Sequence, residues 1–407
     1  MIDIDYRTRT DAQIAPVDFT AFHHQLPARL RGKHGALAAR ALGKLGLPPL
    51  ALEVDGRAFT YVARDGAIEV VDGATADAVV APISAALFTE LVLDLRTTTS
   101  AVLGGLVRLA PEHSRAFMQW DPVLRAMLDG RAIHEPGTIG FVDRDGAPLD
   151  VRRAFPASSD PAEILWFLQQ TGFVILQGLF TPDEMAEVSA DLDRIADSYR
   201  PGDGQSWWAR TASAGNRLVR LKEVQQRSPV VARLLRDPRY LALADMWPAR
   251  YPRDRRTASP IDACIKPADT VEGVSDMNWH KDCSLGRHSY DCCNFGVGFS
   301  VTDSSEDHGQ LSVVAGSHRT QLPLVRNGAF AVELPPDLDL PVVPLSTRAG
   351  DVTIHLSCAM HRAMPPRRHE RRVMYSGYIL EADHRLAFTG DGYAALLDPT
   401  KASRAAT

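Results

Sequence analysis

The sequence predicts an α+β protein that becomes mainly β in its C-terminal half. Between residues 261 and 380, short β-prone runs alternate with Gly, Pro and Asp, namely CNFGVGFSVTD, GQLSVVAGS, FAVELP, VVPLSTRAGDVTIHLSC and RRVMYSGYIL. Upstream of this block, a smaller unit mixes strands with helices. Many short strands in one block are typical of a sandwich or a barrel, so we expect the larger domain to be one of these.

The chain length of 407 residues suggests two or three domains, at ~150 residues per domain. We expect a small α+β domain over 1–130, a connector over 131–160 and a strand-rich domain over 161–407. Gly, Pro, Ser and Asp accumulate in the connector, which leaves room for one hairpin. Because such a connector separates independent cores, we expect residues 1–130 to fold alone and residues 151–407 to keep any site they contain.

The small domain carries clear turn and helix signals. Asp-Gly pairs at 55–56, 65–66 and 72–73 separate its strands, and each pair is a hairpin signal. A helix follows Ser84, whose hydroxyl suits an N-cap, and a second helix is predicted from Pro111 to Leu128.

The larger domain begins with a helix, a strand and a second helix. Gly172 ends the first helix, and FVILQGLF has the continuous apolar character of a buried strand. Thr181 suits the N-cap of the second helix, because Pro182 and Glu184 occupy its first and third positions. We therefore expect helices to flank the strand-rich part of this domain.

Composition excludes several classes of function. The 45 basic and 50 acidic residues give a net charge of −5 with no dense basic block, which argues against nucleic-acid binding. No apolar run approaches the ~18 residues that span a bilayer, and the opening residues have no signal-peptide pattern. We therefore expect a cytoplasmic protein without a membrane span.

The cysteines predict neither a metal knuckle nor a disulfide framework. They are Cys264, Cys283, Cys292, Cys293 and Cys358, all in the C-terminal half, and no two form a CxxC pair. We expect reduced thiols, most of which pack in the interior.

The stretch NWHKDCS places His280 and Asp282 two residues apart. In a strand, side chains at i and i+2 point to the same face, with Cα atoms roughly 7 Å apart. An imidazole and a carboxylate form two thirds of the 2-His-1-carboxylate set that binds non-haem Fe(II). On its own the pattern is more often an exposed loop, so a second histidine is needed.

The second histidine must come from elsewhere in the strand-rich block. The candidates are His308, His318, His355, His361 and His369. His355 and His361 are an even number of residues apart, so a continuous strand would place both on one face. A kink near Ser357 could separate them.

Five motifs follow one another over about 162–382, namely GFVILQGLFTPDEM, CIKP, WHKD, DHGQLSVVAGSH and GDVTIHLSCAMHRA…RRV. In order and spacing they resemble the phytanoyl-CoA dioxygenase-like family of Fe(II)- and 2-oxoglutarate-dependent oxygenases. The resemblance implies a double-stranded β-helix, a cupin-like jelly roll, for the larger domain.

The resemblance also assigns metal ligands. His280 and Asp282 match the two ligands of the family's HxD motif, and His361 matches its distal histidine. His355 matches a position that is often histidine in the family but does not bind metal. The aspartate at 282 implies oxygen insertion or another oxidation rather than halogenation, since halogenating relatives have a small residue there.

The family binds the far carboxylate of 2-oxoglutarate with an arginine that follows the distal histidine. Arg371 matches this arginine, with Arg372 as the alternative, and Lys266 matches a basic residue near the cosubstrate. A planar guanidinium fits a carboxylate as a lysine head does not. Two positions depart from the family pattern: Ala363 replaces a common serine and Gly298 replaces a frequent aromatic residue.

Other residues carry weaker signals. Gly309, Gly316 and Ser317 match the family's turn motif, which implies turn geometry rather than contact with a ligand. The adjacent Trp207 and Trp208 could line a substrate entrance or pack in the core.

Residues 45–130 resemble the sterol-carrier-protein-2-like fold in their order of strands, helix, Gly-rich turn and final helix. This resemblance is one of pattern and involves no diagnostic motif. It implies either a lipid cavity or a scaffold that pairs two chains as a homodimer, and the sequence leaves both open.

Taken together, the resemblance implies a dioxygenase that hydroxylates or otherwise oxidises a small organic substrate, lipid-like or natural-product in character, with release of succinate and CO₂. Its cofactors would be Fe(II), 2-oxoglutarate and O₂, with ascorbate helpful in vitro. The alternatives are a non-catalytic small-molecule or lipid-binding protein on the same fold, and a metal-dependent cupin-type enzyme that does not use 2-oxoglutarate. Binding of 2-oxoglutarate would separate the three.

Overall fold

The computed structural model describes residues 15–246, 256–258, 260–273, 277–285, 295–326 and 332–380. Within these residues the chain forms two large hydrophobic cores, one built from residues between Phe19 and Ile133 and the other from residues between Phe155 and Tyr378. The predicted thiols Cys292 and Cys293 lie outside the described residues. The observed architecture is mixed α/β with a large sheet in the C-terminal part.

The first core joins six helices to a four-stranded sheet. The helices are α1 (Phe19–Leu30), α2 (Lys33–Leu45), α3 (Ala85–Val92), α4 (Thr98–Leu103), α5 (Pro111–Gln119) and α6 (Asp121–Asp129). The strands are β1 (Leu50–Val54), β2 (Arg57–Arg64), β3 (Ala67–Asp72) and β4 (Val79–Pro82). Their order is β3-β2-β1-β4, with β1 and β4 parallel and the other pairs antiparallel.

Two of the three Asp-Gly signals form hairpins. Asp55 and Gly56 have φ values of 51° and 78°, and Asp65 and Gly66 have 48° and 78°. Tight two-residue hairpins need this positive φ at both central positions. The prediction for 72–73 is wrong, because β3 ends there and the next strand, β4, pairs with β1 instead.

The helix predicted from Pro111 to Leu128 is in fact two helices. α5 ends and α6 begins around Trp120, and Pro122 lies in the first turn of α6. Proline has no N–H and its ring clashes with the preceding turn, so a helix cannot continue through this position unchanged. The Ser84 prediction is confirmed, since its hydroxyl accepts a 3.1 Å hydrogen bond from Leu87 N.

The second core contains four helices and most of the strands. The helices are α7 (Pro161–Thr171), α8 (Pro182–Ala196), α9 (Pro229–Leu234) and α10 (Pro238–Ala242). The strands up to the HxD segment are β5 (Phe155–Pro156), β6 (Phe173–Gln177), β7 (Ser206–Thr211), β8 (Gly215–Leu221), β9 (Arg256–Ala258), β10 (Asp262–Lys266), β11 (Thr270–Glu272) and β12 (Met277–His280). The later strands are β13 (Phe295–Ser300), β14 (Leu311–Val314), β15 (Val325–Arg326), β16 (Val332–Glu333), β17 (Val342–Leu345), β18 (Val352–Leu356), β19 (His361–Ala363) and β20 (Arg371–Leu380).

The two predicted helix signals at Gly172 and Thr181 are confirmed. Gly172 follows α7 in the left-handed conformation, with φ 85°. Thr181 and Glu184 form a reciprocal capping box at the start of α8, in which each side chain accepts a hydrogen bond from the other residue's backbone N–H.

The strands form one large and one small sheet, plus a two-stranded ribbon of β15 and β16. The large sheet runs β11-β7-β8-β10-β20-β13-β18-β6-β5, with β9 added beside β20. The small sheet runs β12-β19-β14-β17.

Helices cover one face of the large sheet. On that face Phe299 packs against Tyr240 of α10, with ring centroids 5.5 Å apart, and Arg372 pairs with Asp193 of α8 at 2.8 Å. The opposite face, which alternation assigns to Gly298 and Arg371, is therefore left for the small sheet.

The predicted connector is part of the folded structure. Leu149 N donates to Phe141 O at 3.1 Å, which closes one hairpin, and β5 pairs in parallel with β6 at the edge of the large sheet. The connector also contacts the strand-rich domain, since His134 Nε2 lies 2.6 Å from Asp339 Oδ1. Among the described residues, no helix is long and apolar enough to cross a membrane.

Candidate functional site

His280, Asp282 and His361 meet in one cluster. Asp282 Oδ1 lies 3.4 Å from His280 Nε2 and 3.6 Å from His361 Nε2. The three ligand atoms all lie within 4.8 Å of one another, a spacing that one metal ion can bridge. The Asp282 side chain is 42% exposed while that of His361 is 5% exposed, so the cluster is open on the carboxylate side.

The local structure of the HxD segment differs from the strand considered above. β12 ends at His280, and Asp282 begins a short 3₁₀ turn, Asp282–Leu285. The two side chains still converge, because His280 is paired directly with His361 across β12 and β19 and the turn folds Asp282 back towards both.

Backbone carbonyls orient both imidazoles. Asn278 O lies 2.7 Å from His280 Nδ1, and Ala359 O lies 2.9 Å from His361 Nδ1. A carbonyl can only accept, so each Nδ1 carries a proton, and in the neutral ring each Nε2 would present its lone pair to the cluster. This is the tautomer that a metal-binding histidine needs.

The charges also suit a cation. Partial removal from water would raise the pKa of Asp282, but the charge of His361 and hydrogen bonds from His280 and His355 hold that pKa well below its usual range. Burial, followed by the charge of His280, holds the pKa of His361 well below its usual value. An ionised carboxylate beside a neutral imidazole is the state in which these groups bind metals.

His355 approaches the same carboxylate from the other sheet. Its Nε2 lies 3.4 Å from Asp282 Oδ2, and its ring centroid lies 4.4 Å from that of His361. The chain leaves the large sheet after β18 and joins the small sheet at β19, so the two histidines come from opposite sheets. Gly296 makes room for the ring, since a Cβ there would lie 2.8 Å from His355 Cε1.

The other candidate histidines lie elsewhere. His308 Nδ1 is 2.8 Å from Ser305 Oγ, and the His308 ring lies 5.1 Å from the exposed His369. His318 Nε2 lies 2.9 Å from Gln169 O. Neither group joins the cluster.

Arg371 and Arg372 point to opposite faces of the large sheet. Arg371 is 2% exposed, and its one side-chain hydrogen bond within the described part of the chain is a long one, 3.5 Å from Nη1 to Ser304 Oγ. Its Nε and Nη2 have no hydrogen-bond partner among the described residues. Arg372 is engaged on the helix side, where its Nη1 lies 2.8 Å from Asp193 and its Nε 2.9 Å from Glu370.

Lys266 and Tyr375 share the sheet face of Arg371. Lys266 is the register partner of Arg371 on β10, and its charge acts on His280. Burial raises the pKa of Tyr375, and the charges of Arg371 and Asp282 both act on its phenol. On this face Tyr375 lies opposite Gly298 of β13.

The weaker sequence signals fall in two places. Gly309 and Gly316 have φ values of 66° and 74°, in agreement with the predicted turns. A β-bulge between Trp207 and Trp208 sets them opposite Arg220 and Leu218, which are two residues apart, so both rings face the same side. Trp207 stacks on Arg220 at 4.5 Å, and Trp208 packs partly against the core.

Sequence reasoning missed three residues near the cluster. Tyr375 could have been found, because it follows Arg371 by an even number of residues on one strand and so shares its face. Lys281 stands inside the HxD motif, yet alternation assigns it to the other face of the strand. Ser317 was expected to serve turn geometry, whereas its side chain bonds to the segment of His361.

Residues 168–373, just over half of the chain, match the family model for phytanoyl-CoA dioxygenase (PhyH). The chain belongs to the PhyH family. The matched range contains the three clustered residues and both arginines.

This PhyH-family protein is also similar to individual proteins. An ectoine dioxygenase of Bordetella bronchiseptica is 28% identical over 151 residues, which is 37% of this chain and 47% of the relative. The chain thus spans about half the length of this curated relative.

Among solved structures, the epimerase SnoN in complex with Fe³⁺, alpha ketoglutarate and nogalamycin RO is 21% identical, with a TM-score of 0.42 over 54% of this chain and 84% of SnoN. EvdO2 from Micromonospora carbonacea var. aurantiaca is 18% identical, with a TM-score of 0.41 over 56% of this chain and 94% of EvdO2.

Proposed function

We propose that this PhyH-family protein is an Fe(II)- and 2-oxoglutarate-dependent dioxygenase that oxidises a small organic substrate. The observation that carries this proposal is a buried arginine, Arg371, whose Nε and Nη2 have no partner among the described residues. It lies on the same face of the large sheet as His355, which contacts Asp282 of the cluster. A buried charge without a partner is costly, so the position favours a carboxylate ligand.

The residues present fit both Fe(II) and 2-oxoglutarate. His280, Asp282 and His361 would hold Fe(II), and three protein ligands leave three positions for other ligands. When bound, the iron supplies the oxidising power of the reaction. Arg371 would bind the far carboxylate of 2-oxoglutarate through two N–H groups, and Lys266 would add positive charge nearby.

The protein's own residues orient the metal ligands and fill the space around the site. The carbonyls of Asn278 and Ala359 orient the imidazoles, so that little rearrangement is needed when a metal binds. Tyr375 occupies the space beside Gly298, where family members often carry an aromatic residue. This contact places an aromatic ring where the family often has one and so supports a catalytic protein over a non-catalytic binding protein.

We further propose that the two sheets of the larger domain form a double-stranded β-helix, with 1–130, 131–160 and 161–407 as small domain, connector and catalytic domain. The sterol-carrier-protein-2-like character of the small domain, its lipid or dimerising role and a cytoplasmic location stay proposals as well. The four-stranded sheet with surrounding helices is compatible with the first of these.

The test is turnover of 2-oxoglutarate. Purified protein with Fe(II), ascorbate, O₂ and a metabolite extract should release succinate, and anaerobic addition of 2-oxoglutarate to the Fe(II) form should produce a visible charge-transfer band. His280→Ala, Asp282→Ala and His361→Ala should each remove the band. A wild-type protein that binds Fe(II) but not 2-oxoglutarate would favour the cupin-type alternative.

A further inference from the structure

Ser317 contacts both segments that carry the clustered residues. Its Oγ accepts a 2.8 Å hydrogen bond from Met360 N, and its carbonyl oxygen accepts a 3.0 Å hydrogen bond from Lys281 Nζ. Met360 directly precedes His361, and Lys281 stands between His280 and Asp282. One residue therefore links the HxD segment to the segment of the distal histidine.

The link is buried at every point. Lys281 is 3% exposed, Ser317 0% and Met360 2%. An ammonium group is costly to remove from water, and its donors must be satisfied inside the protein. A lysine held in this environment has little freedom to move, so its bond to the Ser317 carbonyl restrains the backbone of the HxD segment.

The turn that contains Ser317 is held by contacts to α7 and to the connector. Gly316 N donates to Thr171 O at 2.9 Å, at the end of α7. A Cβ on Gly316 would lie 3.0 Å from both Ile139 and Phe141, so the connector packs directly against the turn. Ser317 is thus held by α7 and by the connector in addition to the two segments that it joins.

Strand pairing joins these segments only over short stretches. β19 has three residues, which pair with β14 as well as with β12, and the pairing of β12 with β19 contains a register shift between Met277 and His280. A second backbone bond, from Cys283 N to Ser357 O at 3.2 Å, adds one more tie between the segments. The Ser317 link therefore acts where the sheet itself is short and irregular.

We propose that Ser317 is a positioning residue for the metal centre, which sets the separation between the HxD pair and His361 by tying Lys281 and Met360 to one turn. This role rests on the metal site proposed above. It predicts that Ser317 and Lys281 control metal affinity although neither is a ligand.

The test uses the metal-free full chain and Co(II), followed anaerobically by the visible d–d absorption. Ser317→Ala removes the acceptor for Met360 N, and Lys281→Met removes the donor to the Ser317 carbonyl while keeping the length of the side chain. Each should weaken Co(II) binding by 10- to 100-fold, as is typical when a group supporting a metal ligand is lost, and should alter the d–d spectrum. Ser312→Ala, at a buried serine on the neighbouring β14, is the matched control and should bind Co(II) as the wild type does.

Thermal unfolding of the metal-free variants separates positioning from general damage. A variant that melts like Ser312→Ala yet binds Co(II) weakly supports the role of Ser317. Wild-type Co(II) affinity and spectrum in both Ser317→Ala and Lys281→Met would overturn it. If Ser317→Ala fails to fold, Lys281→Met decides on the same readouts. A wild-type protein that binds no Co(II) would instead overturn the metal site itself, and the role of Ser317 with it.

Discussion

Tyr375 packs its ring against the bare backbone of Gly298 on the adjacent strand. The two are register partners between β20 and β13, and a Cβ on Gly298 would lie 3.1 Å from Tyr375 Cε1 and 2.6 Å from Thr353 Oγ1. Gly298 thus leaves room for the Tyr375 ring at a position where the family often has an aromatic residue of its own. This relationship explains how an apparent departure from the family pattern leaves the site filled.

Gly298→Ala should therefore be destabilising. The added methyl group has no free space, and overpacking of a core typically costs about 1–3 kcal/mol. Urea unfolding should show a lower free energy of unfolding, together with weaker 2-oxoglutarate binding. Gly140→Ala is the control, since a Cβ there meets no atom within 4 Å. Equal stabilities of the two variants would mean that the Tyr375 ring moves aside without cost.

Arg371 and Arg372 should differ sharply in their effect on 2-oxoglutarate. Truncating one partner of a buried, hydrogen-bonded charge pair costs about 2–5 kcal/mol, so Arg371→Ala should raise the 2-oxoglutarate Kd by at least about 30-fold. Arg371→Lys should rescue little of this, because the guanidinium fork is lost. Arg372→Ala should leave the Kd near the wild-type value, since its side chain bonds to Asp193 and Glu370 on the helix side. A larger effect at Arg372 would assign the cosubstrate to the other face.

Substitutions of His355 and His361 should have different effects on Fe(II) binding. His361→Ala should abolish Fe(II) binding, because it removes one of three ligands. His355→Ala should weaken binding by about 10-fold or more, because His355 contacts Asp282 Oδ2 rather than the oxygen shared by the two other histidines. Metal titration of the apoprotein measures both. Metal binding that survives in the His361 variant and disappears in the His355 variant would make His355 the third ligand.

His23 should make the stability of the small domain pH-dependent. This histidine is 1% exposed and stacks on Phe59, and burial lowers its pKa from 6.5 to about 4. The folded protein then binds its proton less readily than the unfolded chain does, so the stabilisation is complete above pH ~6.5 and is lost as the pH falls towards ~4.

Between pH 7 and pH 5 this histidine alone should lower the free energy of unfolding by roughly 2 kcal/mol. His23→Gln should remove that part of the pH dependence in urea titrations, while His24→Gln, at the exposed neighbour, should keep it. An unchanged slope in His23→Gln would show that another group is responsible.

Truncation should weaken the metal site even where it leaves the fold intact. α4 lies against the 3₁₀ turn that begins with Asp282, and Arg326 donates to Thr99 at 2.9 Å across the same boundary. The sequence alone led us to expect a fragment 151–407 with an unchanged site, and these contacts alter that expectation. We now expect the fragment to bind Co(II) several-fold more weakly than the full chain, as measured by titration. Equal affinities would mean that the small domain contributes nothing to the site, and a fragment that cannot fold would mean that the two parts share one core.

Much of the architecture follows from local sequence. The Thr181 capping box, the Ser84 cap and two Asp-Gly hairpins depend on neighbours only a few residues away, and all are found in the structure. The third Asp-Gly pair does not form a hairpin, because the strand that follows it, β4, pairs with the distant β1. The break near Trp120 is also local, because Pro122 has no backbone N–H to continue the preceding helix.

The features of the site also divide into those that local sequence predicts and those that depend on long-range contacts. By itself, the sequence determined that a histidine and an aspartate stand two apart, that further histidines follow, and that two adjacent arginines begin the last run of the strand-rich block. Only the tertiary structure decided that His361 and His355 come together from opposite sheets, that Arg371 is the buried arginine, and that Ser317 joins two segments distant in sequence. The physical reason is that register and sheet order depend on long-range pairing and on burial in a common core, and residue spacing along the chain does not specify either.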